Sequence, residues 1–145
     1  MQKTKNSEFT PPAGWVTGAS KNSFGSHVGP LYFRDDKIAP GVGFVSQDYH
    51  QNLGNFVHGG MMMTLADMAL FTIYFFDHPI QKMVTVSMNS EFLRPAPIGA
   101  FITATGEVVK SGRRLSFIRG IVSADNVDLM HFSGSLAALD DEQNG

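Results

Sequence analysis

A chain of 145 residues, 43% of them hydrophobic, has room for one domain with one core. Its net charge of −2 and pI near 6.2 lack the basic footprint of a nucleic-acid partner. With no cysteine, disulfides, thiolate catalysis and cysteine metal sites are excluded, and a cytoplasmic location is expected.

Residues 1–26 are polar and lack the apolar run of a secretion signal. They are expected to be an N-terminal arm, irregular or with a short helix, anchored by Phe9 and Trp15. A single domain follows over 27–140, with a solvated tail at 141–145. Leu31 to Phe33 and Ile38 to Val45 read as strands, joined by the turn residues Asp35-Asp36-Lys37. Gly41 and Gly43 suggest a bend or bulge in the second. Gln47 to His58 is a polar loop.

From Gly59 to Phe76 the apolar residues recur at helical spacing, and Met61, Met68, Phe71 and Phe75 make the opposite side apolar as well. Such a helix must be covered nearly all round, by a wrapped sheet or by a second subunit. Asp67 interrupts the run, which is too short for the roughly 20 apolar residues of a membrane span. Pro79 ends the helix. Val84 to Leu93, Phe101 to Val109, Leu115 to Ala124 and Leu129 to Leu139 read as strands, with turns at Ser111-Gly112 and Asp125-Asn126. Val84, Val86, Met88 and Ser90 alternate with Thr85, Ser87, Asn89 and Glu91. Short strands, one long helix and four longer strands predict an antiparallel α+β sheet.

The distinctive stretch runs from Asn52 through His58-Gly59-Gly60 to Asp67. With Arg94-Pro95 after the next strand and Gly112-Arg113-Arg114-Leu115 in a later turn, it resembles the hotdog-fold thioesterases of the phenylacetate-pathway type. The resemblance covers residues 30 to 139. It implies a hotdog fold, one central helix wrapped by a curved antiparallel sheet, and hydrolysis of an acyl-CoA thioester. It also implies an active site between the subunits of a homo-oligomer, a dimer or the tetramer that the family favours.

The chemistry can be argued from the residues too. The first N–H groups of a helix have no partner within it, and the dipole there favours negative charge. Glycine lets a ligand approach that backbone. Gly59 and Gly60 are therefore candidates to polarise a thioester carbonyl and stabilise its oxyanion. Asp67 lies eight residues on, roughly 12 Å along the axis at 1.5 Å per residue. A carbonyl held at Gly59 is out of its reach, so one site needs Gly59 and Asp67 from different subunits. Asp67 could act as the base that activates water or as the nucleophile. Asn52 could orient the carbonyl or the water, or close a loop turn. His58 could bond the substrate or fix the loop. Thr85 stands where the resembling family often has a hydroxyl, to hold water or the carboxylate; a β-branched residue in a strand needs no such reason.

Arg94, Lys110, Arg113 and Arg114 are candidates for the CoA phosphates. Met61, Met68 and Phe71, with Met62 and Met63, could line an adaptable acyl pocket. The five histidines are scattered without i,i+4 pairing, so neither metal nor cofactor is expected. Nor is a membrane or nucleic-acid partner. A non-catalytic acyl-CoA-binding protein on the same fold is the alternative, and a hydratase or dehydratase a further one.

Overall fold

The computed structural model describes residues 9–18 and 21–140. The C-terminal tail and residues 1–8, 19 and 20 of the arm lie outside the described residues. Seven strands form one sheet in the order β1-β2-β3-β5-β6-β7-β4, every pair antiparallel. They are β1 (Trp15–Thr17), β2 (Leu31–Arg34), β3 (Val42–Val45), β4 (Met83–Phe92), β5 (Phe101–Ser111), β6 (Leu115–Ala124) and β7 (Val127–Ala138). A short helix α1 (Phe24–Val28) precedes β2, and the long helix α2 (Gly59–Asp77) separates β3 from β4. The curved sheet with one long helix against it is the hotdog arrangement expected above.

The core lies between α2 and one sheet face. Met61, Met62, Leu65, Ala66, Ala69, Leu70, Ile73 and Tyr74 are buried, the i, i+3, i+4 stripe of a helix on a sheet. They meet Phe44, Ile102, Ile118, Val122, Met130 and Leu136 from the strands. At 19 residues α2 is, contrary to the expectation from sequence, long and apolar enough to pass for a membrane span, but this buried stripe makes it a core helix. Met63, Met68, Phe71 and Phe75 are only half-buried, so one chain leaves the other stripe partly open. Long strand β4 is a free sheet edge.

Glycine permits close packing at two points, one within the sheet and one between sheet and helix. A Cβ on Gly120 would stand 2.3 Å from Phe132 Cζ, and one on Gly134 would stand 2.6 Å from Leu70 Cδ1. The β6–β7 hairpin turns on Asp125 and Asn126, both with positive φ, as a two-residue turn of matching twist requires.

The second expected strand is shorter than its pattern suggested. Ile38 is exposed, Ile38 N–H donates to Asp36 Oδ1, and Pro40 has no N–H for a ladder, so pairing starts only at Val42. Gly43 makes no bend: it pairs with Tyr32 and Thr103 in register, and a Cβ there would meet Ile102 O at 2.8 Å. Within the arm, β1 extends the sheet edge against β2. Phe9 and Trp15 pack on Phe101, with ring centroids 5.2 Å away in both cases.

The alternation read along β4 fails at its middle. The register slips between Thr85 and Ser87, a bulge that inserts one residue and swaps the faces. Met83 and Thr85, then Met88 and Ser90, are the more enclosed, while Val84 and Val86 stand out 43% and 57% exposed.

Candidate active site

Helix α2 starts where His58 takes an extended conformation (φ −58°, ψ 134°) and caps it. Its Nδ1 accepts the Gly60 N–H at 2.8 Å, and its carbonyl accepts from Met61 and Met62. That use of Nδ1 puts the proton of a neutral His58 on Nε2. The Gly60 N–H is therefore spent within the chain. Among the described residues the Gly59 N–H has no acceptor, which makes it the free donor at this helix end. It opens on a pocket of about 390 Å³ lined by Asn52, Phe56, Gly59, Met62, Phe92 and Arg94, among others.

Asn52 Oδ1 accepts the N–H groups of Gly54 (2.8 Å) and Phe56 (3.2 Å). This closes the loop before the helix, so its carbonyl oxygen has a structural task. Arg94 is exposed at the rim and donates to the Asp128 carbonyl at 2.7 Å. Met62, one of the methionines read from sequence as possible pocket lining, lines this pocket; Phe56 and Phe92 line it too and were not singled out from sequence. Phe92 falls on the face that places its ring 3.4 Å from a Cβ built on Gly59, and only tertiary packing reveals that.

A second group gathers farther along α2. Asp67 is half-buried and accepts the Thr85 hydroxyl at 2.6 Å on Oδ1. The β4 bulge makes this possible, since it turns Thr85 inward while Ser90, past the slip, still faces the helix and donates to the Met63 sulfur. Oδ2 of Asp67 has no partner among the described residues. The geometry thus leaves a carboxylate oriented by one bond and free on its second oxygen.

Lys110, Arg113 and Arg114 lie exposed at the β5–β6 turn, where Arg114 stands 3.5 Å from Asp140. Ser111 pairs with Ser116, Ser116 with Leu136 and Leu136 with Thr85. The turn therefore sits at the Asp67 end of the sheet, about 14 Å across three strand spacings. Arg94 is at the opposite end, beside Gly59. The structure does not join these four cations into one cluster within a chain.

The apolar candidates divide as well. Met61 is buried in the core and does not line the Gly59 pocket, because its helical position points it at the sheet. Met68 and Phe71 are half-buried on the other stripe, and the Met68 methyl lies 3.5 Å from a Cβ built on Gly25 of α1. One chain thus holds its candidate residues in two separate groups. A donor end holds Asn52, His58, Gly59 and Arg94. A carboxylate end holds Asp67 and Thr85, with the 110–114 turn at its edge of the sheet.

Comparison with known proteins bears on this arrangement. The model of the thioesterase superfamily matches residues 54–130, which include the helix, Asp67, Thr85, the donor end except Asn52, and most of the sheet. The chain is 35% identical over 92 residues to a Pseudomonas aeruginosa protein provisionally named an esterase, a stretch covering 62% of this chain and 69% of that one. A mutant of the phenylacetic acid degradation protein PaaI from Thermus thermophilus superposes with TM-score 0.69, over 80% of this chain and 98% of that chain, at 24% identity. That identity speaks to the fold alone. A Bacillus halodurans protein solved with CoA superposes with TM-score 0.67, over 74% of this chain and 72% of that one, at 25% identity.

Proposed function

The chain belongs to the thioesterase superfamily, and we propose that it hydrolyses an acyl-CoA thioester to a free acid and CoA at a site shared by two subunits. The observation that carries the reading is Asp67: a carboxylate on an apolar helix, held on one oxygen by Thr85 and open on the other. Placing a carboxylate there costs free energy that a core position would not need to spend. The CoA bound by the Bacillus halodurans relative supports CoA as the thiol half of the substrate.

In this mechanism the Gly59 N–H of one subunit polarises the thioester carbonyl and receives the developing oxyanion. Asp67 of the other subunit attacks the carbonyl or takes a proton from attacking water. Within one chain the two are roughly 12 Å apart along α2, too far for one carbonyl. A two-fold that sets the helices antiparallel brings each donor end to the partner's carboxylate end. The open stripe of α2 and the free β4 edge are the surfaces that such a copy would cover. A homotetramer would then be a dimer of these dimers. Arg94, or the turn cations of the partner, would meet the phosphates at the rim.

The test is thiol release from a panel of acyl-CoAs, with wild type and Asp67→Asn in parallel. Turnover that falls at least about a hundredfold in the isosteric variant is expected, the scale of lost acid–base catalysis. A folded protein that binds CoA and releases no thiol from any ester would overturn the enzyme in favour of a binding protein.

A further inference from the structure

We infer that His50 is a positioning residue for this site: a neutral imidazole that ties the loop carrying the Gly59 donor to the segment before β2. The inference rests on the reading of the Gly59 pocket as the thioesterase's donor end. His50 is one of four buried polar residues among those described, only 5% exposed, and it ends a single 3-10 turn over Asp48–His50. Both ring nitrogens are engaged. Nδ1 accepts the Gln47 N–H at 2.9 Å, so the ring's proton is on Nε2, which donates to the Val28 carbonyl. The ring stands edge-on to Phe44 with centroids 4.8 Å apart and is flanked by Tyr49 at 4.3 Å. Tyr49 runs beside it as a second tie, its hydroxyl donating to the Gly29 carbonyl at 2.6 Å.

The backbone of the same residue completes the connection. The His50 carbonyl accepts the His58 N–H at 2.8 Å. His58 is the residue that caps α2, and its peptide unit carries the free Gly59 N–H. A continuous path therefore runs from the Val28 carbonyl through the His50 ring and carbonyl to His58 and the donor. The loop over 51–57 is itself mostly exposed and is closed by the Gln51–Val57 bridge and the Asn52 turn. Its fixed point against the rest of the fold is thus His50, together with the Val57 N–H bond to the Ala96 carbonyl at 2.9 Å. A donor that stabilises an oxyanion acts only if its direction is set before the reaction, and His50 sets it without touching substrate.

Three variants of the full chain test this. His50→Gln keeps a side-chain donor in the place of Nε2; His50→Asn keeps an acceptor in the place of Nδ1 but cannot reach Val28; His50→Leu keeps neither. Acyl-CoA turnover and hydrogen–deuterium exchange are measured on the oligomer of each. For Leu and Asn, kcat is expected to fall about tenfold to a hundredfold, the effect of ångström-scale misplacement, while KM stays near wild type. Exchange should quicken over residues 51–60 and not in β5–β7, and Gln should recover part of both. Wild-type kcat and exchange in Asn, or Gln no better than Asn, would overturn the inference. So would protection lost from the strands together with the loop, the mark of an ordinary core residue. If Leu fails to fold, the Gln and Asn pair still decides. If wild-type protein cleaves no thioester, the functional reading fails, and the exchange arm alone judges whether His50 fixes the loop.

Discussion

Thr85 shows how much rests on a single hydroxyl. A threonine in a strand is unremarkable by propensity, and only its 2.6 Å bond to Asp67 separates it from its neighbours. Removing the donor while keeping the shape, as in Thr85→Val, leaves Asp67 free to rotate away from the direction that the proposed mechanism requires. A fall in kcat of about tenfold or more is expected, the scale of one hydrogen bond to a charged group. Thr85→Ser should retain most of the activity. Equal kcat for Val and wild type in steady-state thiol release would show that the bond does not orient the carboxylate. Gly59 and Gly60 differ in the same way: as a pair they look alike in sequence, yet the His58 cap consumes one N–H and leaves the other.

Among the elements, β6 is packed closely against both of its neighbours, β5 and β7, at Gly120. Gly120 has no room for a methyl: a Cβ would meet Thr105 O and Phe132 Cζ, both at 2.3 Å, one of them backbone. Gly120→Ala should therefore destabilise by at least about 1–3 kcal/mol, the range for overpacking a core, read as a lower denaturant midpoint. An unchanged midpoint would mean that β5 and β6 yield more easily than their register implies. The β4 bulge is the other element-scale feature with a functional consequence. Without the slip between Thr85 and Ser87, Thr85 and Ser90 would lie on opposite faces, and β4 could not present hydroxyls to both Asp67 and Met63.

For the molecule as a whole, the division into a donor end and a carboxylate end predicts complementation between dead subunits. Gly59→Val crowds the donor end against Phe92, and Asp67→Asn removes the carboxylate. Each alone should be inactive. Co-refolded in equal amounts, half of the dimers are hybrids with one intact site of two, so about a quarter of wild-type activity should return. Separate refolding followed by mixing without exchange is the control. No recovery in co-refolded protein that forms hybrids would place Gly59 and Asp67 outside a common site.

Much of this molecule is legible in its amino-acid sequence. The helix, the four long strands, their turns and the α+β class follow from period, from proline and glycine positions and from paired turn residues, all local properties of the chain. The spacing from Asn52 through His58-Gly59-Gly60 to Asp67 marks the candidate site, and the rise of a helix is enough to separate its two groups of residues. Other features depend on residues distant in sequence. The β4 bulge, the shortened β3, the pairing of β1, the burial of Met61 and the Phe92 wall beside Gly59 arise from register and packing against partners that no local pattern specifies. Tertiary structure alone also decides which glycine N–H stays free and makes His50 a tie between two segments. Both depend on where a side-chain nitrogen ends in space, and spacing along the chain does not encode that.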